Sequence, residues 1–306
     1  GPVSQPARDV GAGFRGFRVV HQPLCDSAAL RVCGAEALLR YSTPSGAAIS
    51  PVELVPVLES SGLIKPVGLW VFDQAVADCK KWVDLIPEFR MDVNISVVQL
   101  DDPSFAAEVI RRVDQSGLGA EHIVLELTES LYMNEEKDVV ANIEALRKRG
   151  FGFAVDDFGM GYSSLSRLMT LDCDLVKIDR AFVRMLNTNN ANNEFVRSVV
   201  ELCHRYGKKV CAEGVEEIDE LQAVNAVHAD IVQGFYVSRP VEKDEFERTF
   251  VEGDFNGDVL RFVPDATFRR MQLAYNRDLL LSMVKAMPVS MHLMNSRYEV
   301  VMWNDA

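Results

Sequence analysis

The chain lacks the features that mark several large protein classes. Its six cysteines (Cys25, Cys33, Cys79, Cys173, Cys203 and Cys211) show no Cys-x-x-Cys spacing. Scattered through apolar segments, they read as reduced, small hydrophobic residues rather than as a disulfide framework. Histidine is scarce, with five residues and no His-x-x-x-His pair, which argues against zinc chemistry. No apolar run reaches the roughly 18 residues of a spanning helix. The opening Gly1-Pro2-Val3-Ser4-Gln5-Pro6 has neither the charged nor the apolar region of a secretion signal. The expectation is a cytoplasmic protein without a membrane segment, any tether lying outside these residues. Basic residues are in deficit: 32 Lys and Arg stand against 45 Asp and Glu, for a net charge of −13. Such a chain repels nucleic-acid backbones, which argues against a nucleic-acid polymer as partner; a small anionic ligand needs local cations.

What is present is enough for one large core and a smaller appendage, since 48% of the 306 residues are hydrophobic. Residues 1–15, rich in Gly, Pro and Ala, are expected to be disordered. Strands are predicted over 17–23 and 32–40, joined by a turn at 26–29 and therefore antiparallel. Ser50-Pro51 starts a helix, with Ser50 as N-cap, Pro51 at the first helical position and Glu53 in the capping-box place. A long amphipathic helix follows over about 66–86. Strands near 91–96, 122–128, 151–157, 174–179, 208–213 and 230–233 then alternate with helices near 103–115, 135–149, 163–169 and 193–206, and with one starting at 216. Pro240 and Val241 open a last helix. About eight strands in roughly 240 residues is the spacing of an α/β chain folded as a (β/α)8 TIM-type barrel with an antiparallel first strand. The expected organisation is a disordered segment 1–15, a barrel over 16–255, a linker and helix over 256–278, and a truncated fragment over 279–306.

In such a barrel the C-terminal strand ends assemble one site. They carry Glu36, Asn94, Glu126, Asp156 with Asp157, Lys177, Glu213 and Gln233. Buried strand positions are ordinarily apolar, so polar groups at so many equivalent places point to a shared function. Carboxylates with a carboxamide and no histidine make an oxygen shell suited to Mg²⁺ or Mn²⁺, two ions per site, with Ca²⁺ expected to inhibit. Two close metals neutralise an acidic cluster, bind a phosphate and acidify a water. A glycosidase needs only two acids and leaves Asn94, Lys177 and the adjacent aspartates unexplained. Within the second strand Glu36, Leu38 and Arg40 share a face by the period of two.

The series Gly34-Ala-Glu-Ala-Leu-Leu-Arg40, Val93-Asn-Ile-Ser96, Glu126-Leu-Thr-Glu-Ser130, Asp156-Asp-Phe-Gly159, Lys177-Ile-Asp179, Ala212-Glu-Gly-Val-Glu216 and Gln233-Gly-Phe-Tyr236 resembles the ordered motifs of EAL-domain cyclic di-GMP phosphodiesterases. The resemblance spans about residues 15–250. It implies hydrolysis of cyclic di-GMP to linear 5′-pGpG, and a homodimer. Residue by residue, it implies that Glu36, Asn94, Glu126 and Asp156 hold one metal. Asp156 and Asp157 hold the second, with Glu213 near its waters. Lys177 touches the nucleophilic water, Glu129 anchors the 157–164 loop, Gln233 orients water or substrate, and Gln22, Leu38 and Arg40 contact the ligand.

Three positions depart from that pattern. Met160 stands where Thr is usual, Asp172 where Pro is expected and Glu217 where Thr is usual. None is an implied metal ligand. The tail from Leu279, with Met287-Pro-Val-Ser-Met-His-Leu-Met-Asn295 and Val300-Val-Met-Trp-Asn304, resembles the opening of a PAS sensor domain. A catalytically silent cyclic di-GMP receptor is the competing function; its usual signature, loss of a metal ligand or of the lysine, is absent here.

Overall fold

A computed structural model describes residues 4–132, 134, 136–158, 172–186, 190–253, 292–294 and 300–303. It divides into two units, Gly1–Gly257 and Asp258–Ala306. In the first, eight strands close a barrel: β1 (Phe17–Asp26), β2 (Val32–Ser42), β3 (Arg90–Asn94), β4 (Ile123–Thr128), β5 (Gly152–Phe158), β6 (Leu175–Ile178), β7 (Lys209–Ala212) and β8 (Ile231–Val232). From β2 to β8 each strand runs parallel to the next, while β1 is antiparallel to both β2 and β8 and closes the ring between them. The antiparallel start has a local cause. Asp26 Oδ1 accepts from the backbone N–H groups of Ala28 and Ala29, a side-chain turn that reverses the chain within a few residues.

The helices cover the barrel because their apolar faces have nowhere else to be buried. Helix Pro51–Ser60 begins as its sequence dictates, with Ser50 Oγ accepting from Val52 N at 3.3 Å and Pro51 at the first position. Helix Ile64–Val83 buries Val67, Val71, Phe72, Ala75, Val76, Cys79 and Trp82. Helices Phe105–Ser116 and Lys137–Arg149 both stop at a left-handed glycine, Gly117 and Gly150, which returns the chain to the next strand. Asn142, on the second of these, is buried, and its amide joins three segments. Its Oδ1 accepts from Ala106 N at 3.0 Å, and its Nδ2 donates to the carbonyls of Leu100 and Asp102 at 2.7 and 2.8 Å.

Two expectations are corrected. Within residues 1–15, expected to be disordered, Ser4–Gly11 forms a helix. Its Asp9 accepts from the hydroxyl of Tyr41 at 2.6 Å and from Gln5 Nε2 at 3.1 Å, and Phe14 stacks on Trp70 at 5.2 Å between ring centroids. The buried tyrosine hydroxyl needs an acceptor, and this segment supplies it. At the other end, Val241–Glu242 is a two-residue strand against β1, and the last helix begins only at Lys243. The second unit contains one described hairpin, His292–Met294 paired with Val300–Trp303. The linker and helix expected over 256–278, the helix near 163–169 and Met160 lie outside the described residues.

Replacing Asn142 by Leu keeps the volume but leaves the Ala106 N–H and the Leu100 carbonyl without this partner, and removes one of the two donors to the Asp102 carbonyl, which keeps Phe105 N. Urea denaturation is expected to show a loss of about 2–4 kcal/mol. An unchanged midpoint would contradict the bridging role of this amide.

Candidate active site

Two adjacent residues of a strand point to opposite faces, so the pair Asp156-Asp157 cannot serve one site without a break in the ladder. The break is present. Val155 pairs with Val176 but Phe158 pairs with Ile178, so β5 advances three residues against two of β6. Asp157 absorbs the extra residue in the left-handed region, at φ 54°, a conformation Asp tolerates better than most residues. Its N–H donates to Asp156 Oδ1 at 2.9 Å. As a result ligand oxygens of Asp156, Asp157 and Glu213 lie within 4.8 Å of one another.

Beneath them Lys177, at the middle of β6, is fully buried. Its Nζ lies 2.6 Å from Glu126 Oε1, 2.7 Å from Glu213 Oε1, 3.4 Å from Glu36 Oε2 and 3.9 Å from Asp156 Oδ1. The next layer is built of amides. Asn94 Nδ2 donates to Glu36 Oε1 at 2.7 Å and Gln233 Nε2 to Glu36 Oε2 at 2.6 Å. Gln233 Nε2 also reaches Gln22 Oε1 at 3.2 Å, and Gln22 Nε2 donates to the Ser238 carbonyl at 3.1 Å. Seven of the eight strands or their exits, β2 to β8, therefore contribute to one polar cluster around one ammonium, with β1 adding Gln22.

The charges do not balance. Two like charges about 4 Å apart repel by roughly 4 kcal/mol at an effective dielectric of 20. Burial opposes ionisation of Glu36, but Lys177 and the two amides outweigh it and hold its carboxyl below the usual range. Glu126, buried and beside Glu36, is pushed well above it. Glu213 is pushed up to about 7 by burial, and Asp157 is raised by burial and by Asp156. For Lys177 the surrounding carboxylates, Glu126 foremost, outweigh burial, so it stays an ammonium.

One member of the cluster escaped the sequence reading. Asp92, on β3 two residues before Asn94, is buried and is raised to about 7, by burial first. The period of two that selected Glu36 and Arg40 also puts Asp92 on the face of Asn94; that signal was available. Both oxygens of Glu126 and Oδ2 of Asp92 are buried without an aligned hydrogen-bond donor. Glu126 Oε1 has the Lys177 ammonium at 2.6 Å, and buried carboxylate oxygens so short of donors are hard ligands of the kind a divalent cation such as Mg²⁺ or Mn²⁺ satisfies. The residues fit such an ion. Not every expected residue joins the cluster. Arg40 turns its Nη1 to the Leu39 carbonyl at 2.9 Å, and Leu38 lies between Glu36 and Arg40 on β2. Glu129 opens the short helix Glu129–Tyr132, and most of the 157–164 loop it was expected to anchor lies outside the described residues.

The family model of the EAL domain matches residues 12–240. The chain belongs to the EAL domain family. Similar to this EAL domain is a protein of Pseudomonas aeruginosa named as a cyclic di-GMP phosphodiesterase, 32% identical over 232 residues that make up 76% of this chain and 40% of the relative. Among solved structures, the PaMucR phosphodiesterase in complex with c-di-GMP superposes with a TM-score of 0.73 at 30% identity, covering 80% of this chain and 99% of that one. A calcium and cyclic di-GMP complex of Klebsiella pneumoniae BlrP1 superposes with a TM-score of 0.65 at 28% identity, covering 74% and 56% of the two chains. The chain spans between 27% and 44% of the length of the curated relatives it matches.

The upward shifts carry a consequence for stability. A carboxyl titrating near 7 when folded and near 4.5 when unfolded, as Glu213 does, stabilises the protein at low pH and loses that contribution as pH rises through 7. His21, buried and held down at about 4, acts in the opposite sense, but only between about 4 and 6.5. Between pH 6.5 and 8 the acids act alone. Metal-free protein is expected to melt at lower temperature at pH 8 than at pH 6.5, and Glu213→Gln to flatten that slope. A flat wild-type profile by calorimetry would contradict the charge imbalance.

Proposed function

We propose that this EAL domain is a phosphodiesterase that hydrolyses cyclic di-GMP to linear 5′-pGpG with two Mg²⁺ or Mn²⁺ ions. The observation that supports this reading best is the complete oxygen set around Lys177, with Glu36 held ionised by two amides. Glu36, Asn94, Glu126 and Asp156 would hold one ion, and Asp156 with Asp157 the other, close to Glu213. Bound there, the ions would neutralise the cluster, polarise a phosphate and lower the pKa of a water.

The protein's own groups take the remaining tasks. Water oxygen adds to phosphorus, the bond from phosphorus to the 3′ oxygen breaks, and that oxygen leaves with a proton. Lys177, held as an ammonium by the carboxylates around it, would donate a hydrogen bond toward the attacking water and fix Glu126 and Glu213. Asn94 and Gln233 keep Glu36 in one orientation. Arg40 matches a phosphate by its forked donors, while Gln22, Leu38 and Gln233 line the ligand position. Glu129 anchors the loop that follows Asp157. Ca²⁺, larger and bound at longer distances, is expected to occupy the site and inhibit.

The same reading makes the protein a homodimer acting in the cytoplasm, with the residues from 279 as the start of a PAS-like sensor. Among the described residues no helix is long and apolar enough to cross a membrane.

The test is incubation with cyclic di-GMP and Mg²⁺ or Mn²⁺, with the nucleotides resolved by chromatography. The wild type is expected to yield 5′-pGpG, and Glu36→Ala to yield none while remaining folded. Binding of cyclic di-GMP without product under either metal would instead establish a silent receptor.

A further inference from the structure

The carboxylate of Glu213 is held by Lys177 at 2.7 Å, but its backbone lies beyond the end of β7 rather than in a strand. Its backbone is tied by Glu213 N donating to the Ile178 carbonyl at 3.1 Å. The next residue, Gly214, is left-handed at φ 67°, and a Cβ there would lie 2.6, 2.7 and 2.9 Å from Cβ, Cγ and Cδ of Arg180. The stem of Arg180 therefore presses directly on the backbone that follows Glu213. At its far end the Arg180 guanidinium donates through Nη2 to Glu216 Oε2, at the close of the same turn. The opposite side of the turn is walled by backbone. Val215 N donates to the Gln233 carbonyl at 3.1 Å, and a Cβ on Gly234 would lie 2.1 Å from the Val215 carbonyl oxygen.

The turn 213–216 is thus wedged between a fixed wall, the β8 exit that carries Gln233, and one long side chain from the exit of β6, the strand that carries Lys177. We propose that Arg180 is a positioning residue: it sets Glu213 against Lys177 and against Asp156 and Asp157, and so shapes the second of the two metal positions. The inference rests on the two-metal reading above. Arg180 touches none of the reacting groups in this account. Its stem supplies the wedge and its guanidinium the tie, so the two contributions are separable by substitution. Arg180→Met keeps a stem of similar length and loses the tie; Arg180→Ala loses both.

The experiment is a Mn²⁺ titration of the whole protein by isothermal calorimetry, with electron paramagnetic resonance to detect coupling between two bound ions, and a melting curve of each metal-free variant. In Arg180→Ala one of the two ions is expected to bind at least tenfold more weakly while the other stays within twofold of wild type, and the coupled spectrum to be lost. Arg180→Met is expected to recover most of the affinity. The metal-free melting temperatures should differ by no more than a few degrees. Wild-type affinity for both ions in Arg180→Ala would overturn the inference, as would equal weakening of both ions together with a large fall in melting temperature. A wild type that binds fewer than two Mn²⁺ ions would overturn the two-metal reading itself, and the inference with it.

Discussion

The interaction on which the rest of the site depends is a single buried ammonium set among carboxylates. Lys177 lies within 4 Å of Glu36, Glu126, Asp156 and Glu213, and one positive charge cannot compensate four negative ones in a low-dielectric interior. The fold resolves part of the excess by protonation, as the upward shifts of Glu126 and Glu213 record. Two hydrogen-bonding amides on Glu36 resolve a further part. The remainder is a capacity for cations. Lys177 thus acts as a partial stand-in charge that lets the strands close, and its position in mid-strand makes it less adjustable than a loop residue. The closed barrel supplies the rigidity that such a cluster requires.

Much of this was legible in the sequence because a barrel turns distance along the chain into a simple rule. Polar residues at the ends of apolar strands face one mouth, and Glu36, Asn94, Glu126, Asp156, Lys177, Glu213 and Gln233 could be read off as a set on that basis. The antiparallel first strand followed from a short turn between two strand patterns. Asp92 was passed over because an acid in the middle of a strand looks like part of the polar pattern rather than a layer beneath it. The β5 bulge was invisible, since nothing in Asp156-Asp157 distinguishes an ordinary strand end from an extra residue with left-handed backbone. The helix Ser4–Gly11 was missed for a different reason. Its tertiary partner is Tyr41, through Asp9, and Phe14 just after it stacks on Trp70, contacts that local composition does not encode.

Membership of the EAL domain family and the arrangement of charged groups bear on different parts of the account. Family membership gives the fold and the class of ligand bound by similar proteins. The arrangement of Lys177 and its neighbours bears on the chemistry the site can support, because it sets out which buried carboxylate oxygens are free to take a cation. The chain also covers only part of the length of its curated relatives.

The central claim is that the carboxylate excess around Lys177 exists to hold two divalent ions. Anomalous diffraction from crystals soaked in Mn²⁺ tests it most directly. The account predicts two peaks, one contacting Glu36, Asn94, Glu126 and Asp156, the other contacting Asp156 and Asp157 on the side of Glu213. A single peak elsewhere on the surface, or none at the mouth of the barrel, would contradict it.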